Sequence, residues 1–243
     1  MLKISCAICL ALFCCGCATT KRARSVETSG FLAEVAPKLR AGGEKEPLLY
    51  YRNPGVDWKS YTNILLDPVM LWRGPDSDDK AMPQSDQQRL VDAFQVILYN
   101  SLAEEGYAMV EKPAPRTMRV QVAVSKLEKT WTGPAVFAKV VPQARLLDTL
   151  QGFATGKPVF AGEASIEAKI LDAETGALLA AGADRRVGGK MLNAESFNSW
   201  GDVVQIMQFW GKGLCYRLNV LRNGNKAVEG GNAEMPAAGE SRK

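Results

Sequence analysis

The chain has 243 residues, 47% hydrophobic and 23% charged, the makeup of a globular protein with one core or at most two small ones. Thirty Lys and Arg against 26 Asp and Glu leave a formal charge of +4, scattered along the chain, which excludes the concentrated basic face that phosphate backbones select. With no histidine, Ser-His and Cys-His nucleophile pairs, His-metal sites and the usual proton shuttle are excluded as well.

In chain order, the first feature is a cysteine cluster. Cys6, Cys9, Cys14, Cys15 and Cys17 crowd the N-terminus, and only Cys215 lies elsewhere. A disulfide framework needs partners spread over the fold, and a zinc site needs ligand pairs separated by a loop; neither condition is met. "ISCAICLALFCC" after Met1-Leu2-Lys3 is an apolar run well short of the roughly 20 residues of a spanning helix, which fits a signal peptide. Gly16-Cys17 then resembles the lipobox of bacterial lipoproteins, with Cys14 where Leu is usual. The resemblance implies cleavage between Gly16 and Cys17 and a thioether-linked lipid with palmitate-type chains on Cys17, each buried CH₂ contributing ~0.8 kcal/mol of membrane affinity. Ala18, where Asp would favour the inner membrane, implies the outer membrane and a domain facing the periplasm.

Residues 1–16 are thus expected as signal peptide and 17–29 as lipid anchor and flexible tether. Lys21, Arg22 and Arg24 there are either solvated or in contact with acidic headgroups at ~1 kcal/mol each. Asn53-Pro54-Gly55 predicts a tight turn, and Pro68 within "NILLDPVML" a broken strand. Ser85 with Gln88, the stripe Leu90, Phe94, Ile97, Leu98, Leu102, and Gly106 predict a helix from 85 to 106. Met118, Val120, Val122 and Val124 alternate as in a strand; Leu127 falls out of phase, which predicts a bulge near Ser125. A further helix is a candidate at 138–150.

Ala164, Ile166, Ala168 and Ile170 mark another strand, turned at Asp172 to Gly176 into a hairpin that returns through 177–186. The last helix starts at Ser199, with Trp200, Val203, Val204, Met207, Trp210, Leu214 and Leu218 as its stripe. Gly211 and Gly213 each cost ~1 kcal/mol there, so the backbone packs closely or bends. The predicted fold is α+β, a largely antiparallel sheet with helices on one face, in a single domain at 30–221 followed by a disordered tail at 222–243.

The opposite sheet face, carrying Arg119, Gln121, Glu163, Ser165, Glu167 and Lys169, is expected to be open to water and is a candidate partner surface. Glu163 and Glu167, about 13 Å apart at ~3.3 Å per residue, are too distant for glycoside chemistry and are expected to pair with Arg185 or Arg186. Trp58, Tyr61 and Trp72 are scaffold residues or the lining of a pocket. "GFATGKP" at 152–158 lacks the spacing and the Ser/Thr of a phosphate loop, and "PDSDD" at 75–79 lacks the glycine and distal glutamate of an EF-hand. Cys215, among apolar neighbours, is expected to be a buried, inert thiol.

Several stretches together resemble a family of bacterial lipoproteins catalogued as domain of unknown function 3313: "SGFLAEV" at 29–35, "YYRNPGVDWKSYTNILLDPVMLW" at 50–72, "RVQVAVSKL" at 119–127, "GEASIEAKILDAETGALLAAGADRRVGG" at 162–189 and "WGDVVQIMQFW" at 200–210. Val35 stands where the family usually has an aromatic residue. The resemblance implies an envelope lipoprotein and brings no established activity or catalytic residue. The expectation is a non-catalytic binding or scaffold domain with no cofactor or metal, held to the membrane by its lipid, with an envelope protein as partner. The alternatives are a carrier or sensor of a small apolar ligand, and a cell-wall hydrolase using Asp57 and Asp67.

Overall fold

A computed structural model describes residues 20–72, 84–127, 163–187 and 199–223. The signal peptide with Gly16 and Cys17, the acidic loop 75–79, the 138–150 helix, the 152–158 loop and nearly all of the tail lie outside them. The described elements are strands β1 (Lys21–Arg22), β2 (Arg40–Ala41), β3 (Leu49–Arg52), β4 (Asn63–Leu66), β5 (Met70–Leu71), β6 (Ala108–Met109), β7 (Thr117–Leu127), β8 (Glu163–Asp172) and β9 (Leu178–Val187), with helices α1 (Gln84–Glu104) and α2 (Ser199–Asn223). Among the described residues no helix is long and apolar enough to cross a membrane.

The nine strands form one sheet in the order β2-β3-β9-β8-β7-β4-β6, with β1 added to β9 and β5 to β7. The long pairs β7/β8 and β8/β9 are antiparallel, whereas β4 and β5 run parallel to β7, and β4 parallel to β6. The parallel part follows from connectivity: α1 carries the chain from β5 back to β6, and a parallel pair needs such a crossover. Asp67 to Val69 interrupt the stretch between β4 and β5, as Pro68 predicts, and both halves still pair with β7. The bulge falls at Ser125, where the β7/β8 register shifts between Val124 and Lys126. Asp172 Oδ1 accepts from the Glu174 and Thr175 amides, and Gly176 takes φ 71°, closing the β8/β9 hairpin.

Both helices lie on one face. Leu90, Phe94, Leu98 and Leu102 of α1 and Ile206, Met207, Trp210 and Leu218 of α2 pack with Met118, Val120, Val122 and Val124 of β7. α1 begins at Gln84, so Ser85 lies in its first turn instead of capping it. Its C-terminus has the double bond of a Schellman cap, Tyr107 N to Leu102 O at 3.3 Å and Gly106 N to Ala103 O at 3.0 Å. The close packing predicted at the α2 glycines is real: a Cβ on Gly211 would come within 3.0 Å of Ser101 Oγ and 3.4 Å of Ile97 on α1.

The other face departs from expectation. The expected tether, described from residue 20 to 29, is docked there together with residues 30–35. Thr20 is buried, Lys21 and Arg22 pair with Val187 and Arg186, and Val26, Phe31, Leu32 and Val35 form a second core with Ala123, Ala181 and Ala183. The segment is held by Glu167, whose carboxylate accepts from the amides of Ser29 at 2.5 Å and Leu32 at 3.0 Å. Gly30, at φ 103°, supplies the left-handed bend that turns both amides onto one anion. Glu167 is 0% exposed and Ser165 is buried, so the face expected to be open to water is closed at its centre.

Glu167→Ala would strand the buried Leu32 N–H, at about 1–3 kcal/mol, and the half-buried Ser29 N–H at less. Urea unfolding is expected to show a midpoint loss of that order with an unchanged slope, and Glu167→Gln, which keeps an acceptor oxygen, a smaller one.

Candidate functional site

The described residues line a cavity of about 600 Å³, open to solvent on one side, on the helix face between α2 and the β3-β9-β8 side of the sheet. Its origin is visible in the strand alternation. Tyr50 and Arg52 of β3 stand opposite Gly182 and Ala180 of β9, which stand opposite Ala168 and Ile170 of β8, and all six line the space. Three of them are Ala or Gly, so the sheet floor is low. Leu214, Leu218 and Leu221 of α2 form the apolar roof, and the loop 43–47 forms a wall. The space opens to solvent, and its size lies in the ~300–1,000 Å³ range of small-molecule sites.

A buried polar hub sets the roof and the wall. Asp184 points to the helix face, where its Oδ2 accepts from Trp210 Nε1 at 2.9 Å and Arg186 Nε at 3.2 Å and its Oδ1 from Leu48 N at 3.3 Å. The Arg186 guanidinium lies 3.5 Å from the Phe209 ring centre. Arg217 reaches from α2 to the Lys45 carbonyl at 3.0 Å, and Lys45 Nζ sits over the Tyr216 ring at 5.8 Å. Gly213 makes room for Arg217: a Cβ there would stand 2.9 Å from Nη1. On the outer side, Arg22 donates to the carbonyls of Gly43 at 2.6 Å and Gly42 at 3.1 Å.

The expected pocket residues are elsewhere. Trp58 is buried in the helix-side core, with Tyr61 against it, while Trp72 joins the second core across the sheet, edge-on to Phe31 and bonded to Ser29 O at 3.1 Å. No common pocket results. Tyr61 donates to Asp172 at 2.8 Å, and burial, reinforced by that carboxylate, pushes its hydroxyl up to about 12. Asp172 is held below its usual range, chiefly by the Thr175 amide.

Of the expected partner face, Arg119 and Gln121 are engaged by Asp67 at 2.9 and 2.8 Å, and Lys169 Nζ lies 4.4 Å over the Phe31 ring. Glu167 binds backbone amides and Arg186 binds Asp184, so these contacts stand where a Glu167–Arg186 pair was one of those expected. The side chain of Glu163 lies outside the described residues. Asp57 caps the Trp58–Ser60 turn through Lys59 N at 3.2 Å. Asp57 and Asp67, the carboxylates considered for hydrolysis, thus both carry structural bonds.

The missed residues are Asp184, Arg186 and Arg217. The signal for the first two was strand alternation along β9, since Ala180, Gly182, Asp184 and Arg186 share the parity of the helix face.

A family model described as "Protein of unknown function (DUF3313)" matches residues 27–214. The chain belongs to that family. No curated protein matches it. Among solved structures, a PelC dodecamer from Paraburkholderia phytofirmans is similar at 13% identity and a TM-score of 0.30, over 65% of this chain and 94% of that one. A neuraminyllactose-binding hemagglutinin homolog from Helicobacter pylori is similar at 12% identity and a TM-score of 0.34, over 77% and 91%. Nothing about a ligand or an assembly transfers at that level of similarity.

Cys215 is buried in the helix-side core, and burial, with Glu105 and Glu104 adding to it, pushes its thiol up to about 12 from 9.0. The folded chain therefore holds this proton more tightly than the unfolded one. The associated stability is complete below about pH 9 and is lost as the pH rises toward about 12. Peptide-mapped alkylation at pH 8 is expected to leave Cys215 unmodified until urea is added, and Cys215→Ala to flatten the alkaline fall in stability.

Proposed function

We propose that the protein is a lipid-anchored component of the bacterial envelope that faces the periplasm from the outer membrane and binds a small apolar ligand without transforming it. The observation that carries this reading is the cavity of about 600 Å³, floored by Ala168, Ala180 and Gly182 and roofed by the leucines of α2. Family membership and the Gly16-Cys17 motif support the anchored part, since a thioether at Cys17 would tie the domain to the bilayer. An envelope protein docking on the second sheet face is the weaker reading, because residues 26–35 already occupy its centre.

Native mass spectrometry of protein released from its own envelope is expected to show a chain starting at an acylated Cys17 and carrying a noncovalent adduct. Ala180→Phe, which raises the cavity floor, is expected to lose the adduct and keep the acyl mass. An initiator methionine with a bare thiol at position 17 would remove the anchor; an adduct-free wild type would remove the ligand.

A further inference from the structure

The cavity is apolar along floor and roof, but its α2 wall carries positive charge. Arg217 lines it, and burial pushes the guanidinium down to about 10, which leaves it charged at neutral pH. Glu46 in the lining and Asp184 behind it offset that charge, while Arg22 and Arg186, also outside the lining, add to it. Both carboxylates are already occupied, Asp184 by Trp210, Arg186 and Leu48 and Glu46 by the Gly43 amide at 2.9 Å. Arg186 Nη1, in a side chain only 1% exposed, is buried with no hydrogen-bond partner among the described residues. Lys45, Arg52 and Glu44 in the lining add two cations and one anion. Among the lining residues Arg217, Lys45 and Arg52 stand against Glu44 and Glu46, and apolar walls with that positive excess match an aliphatic chain that ends in an acid.

The path of the N-terminal segment bears on where such a molecule would come from. Arg22, paired to β9 and bonded to the carbonyls of Gly42 and Gly43, braces from outside the loop that forms the cavity wall. It follows Cys17 by five positions, at most about 18 Å of extended chain. A lipid on Cys17 would hold that wall close to the headgroups, with no slack for the domain to drift away.

We propose that the cavity receives the aliphatic chain of a single-chain acidic amphiphile, a fatty carboxylate or a phosphate-headed lysolipid, drawn from the bilayer that holds Cys17, with the acid group at Arg217. This rests on the cavity being the binding element and on acylation of Cys17.

The test titrates the full chain with oleate and with oleyl alcohol, which share a chain length and differ in charge, each below its aggregation threshold. Oleate is expected to bind at least tenfold more tightly. Arg217→Met is expected to erase that preference while leaving the affinity for the alcohol, and Ala180→Phe to weaken both. Equal affinities in the wild type would overturn the acid-recognising role of Arg217 and leave the cavity as an apolar site; binding of neither would overturn both. In a second arm, transfer of lysophosphatidylglycerol from phosphatidylglycerol vesicles is compared between the lipidated protein and Cys17→Ser. The anchored form is expected to load at least tenfold faster, with equal affinity for monomeric oleate. Equal loading rates would overturn the bilayer as the source.

Discussion

The architecture around the cavity depends on one buried carboxylate. Asp184 is held by an indole from α2, a guanidinium from its own strand and the amide of Leu48 at the entrance to β3. Removing it would leave Arg186 charged and unpaired in a side chain that is 1% exposed, a far larger penalty than the loss of three hydrogen bonds. Because its donors come from three directions, this group fixes how far α2 stands from the sheet and where the loop 43–47 lies. The volume between them follows from that spacing and from the small side chains beneath.

The two faces of the sheet solve the same problem differently. On the helix face, large side chains of α1 and α2 fill the space over β7, where Phe94 and Trp210 meet with ring centres 6.0 Å apart. Over β8 and β9, Ala168, Ala180 and Gly182 leave it unfilled. On the opposite face no α-helix is described, and a stretch of turns supplies the apolar cover through Phe31, Leu32 and Val35. That stretch closes its own turns, Ala33 N to Gly30 O at 3.1 Å and Val35 N to Leu32 O at 2.9 Å, and Glu167 takes up the amides of Ser29 and Leu32 from below.

Much of this was legible in the residues. Alternation set β7 and β8 with their inward faces, the hairpin implied β9 without one, and the phase slip at Leu127 marked the bulge at Ser125. The hairpin at 172–176 and the glycine end of α1 followed from turn and cap chemistry. The docking of residues 20–35 was not legible, because a segment without period carries no sign of what it will pack against. Charged Glu167 read as exposed, since alternation reports a face and not whether that face is covered. Trp58 and Trp72 sit close in sequence, but the break at Asp67 to Val69 and the strand parity of Leu71 and Trp72 send them to opposite sides. A cavity is the hardest feature to foresee, being set by what small residues omit.

The placement of β9 has a consequence for the order of assembly. β1 pairs with it at Lys21 and Val187, and β3 at Leu49 and Ala183, so the earliest segments of the chain find their neighbours more than 130 residues later. Contacts that distant form slowly, because the long intervening loop must close first. In a polypeptide that emerges amino end first, the stretch nearest the start is made earliest and built in last.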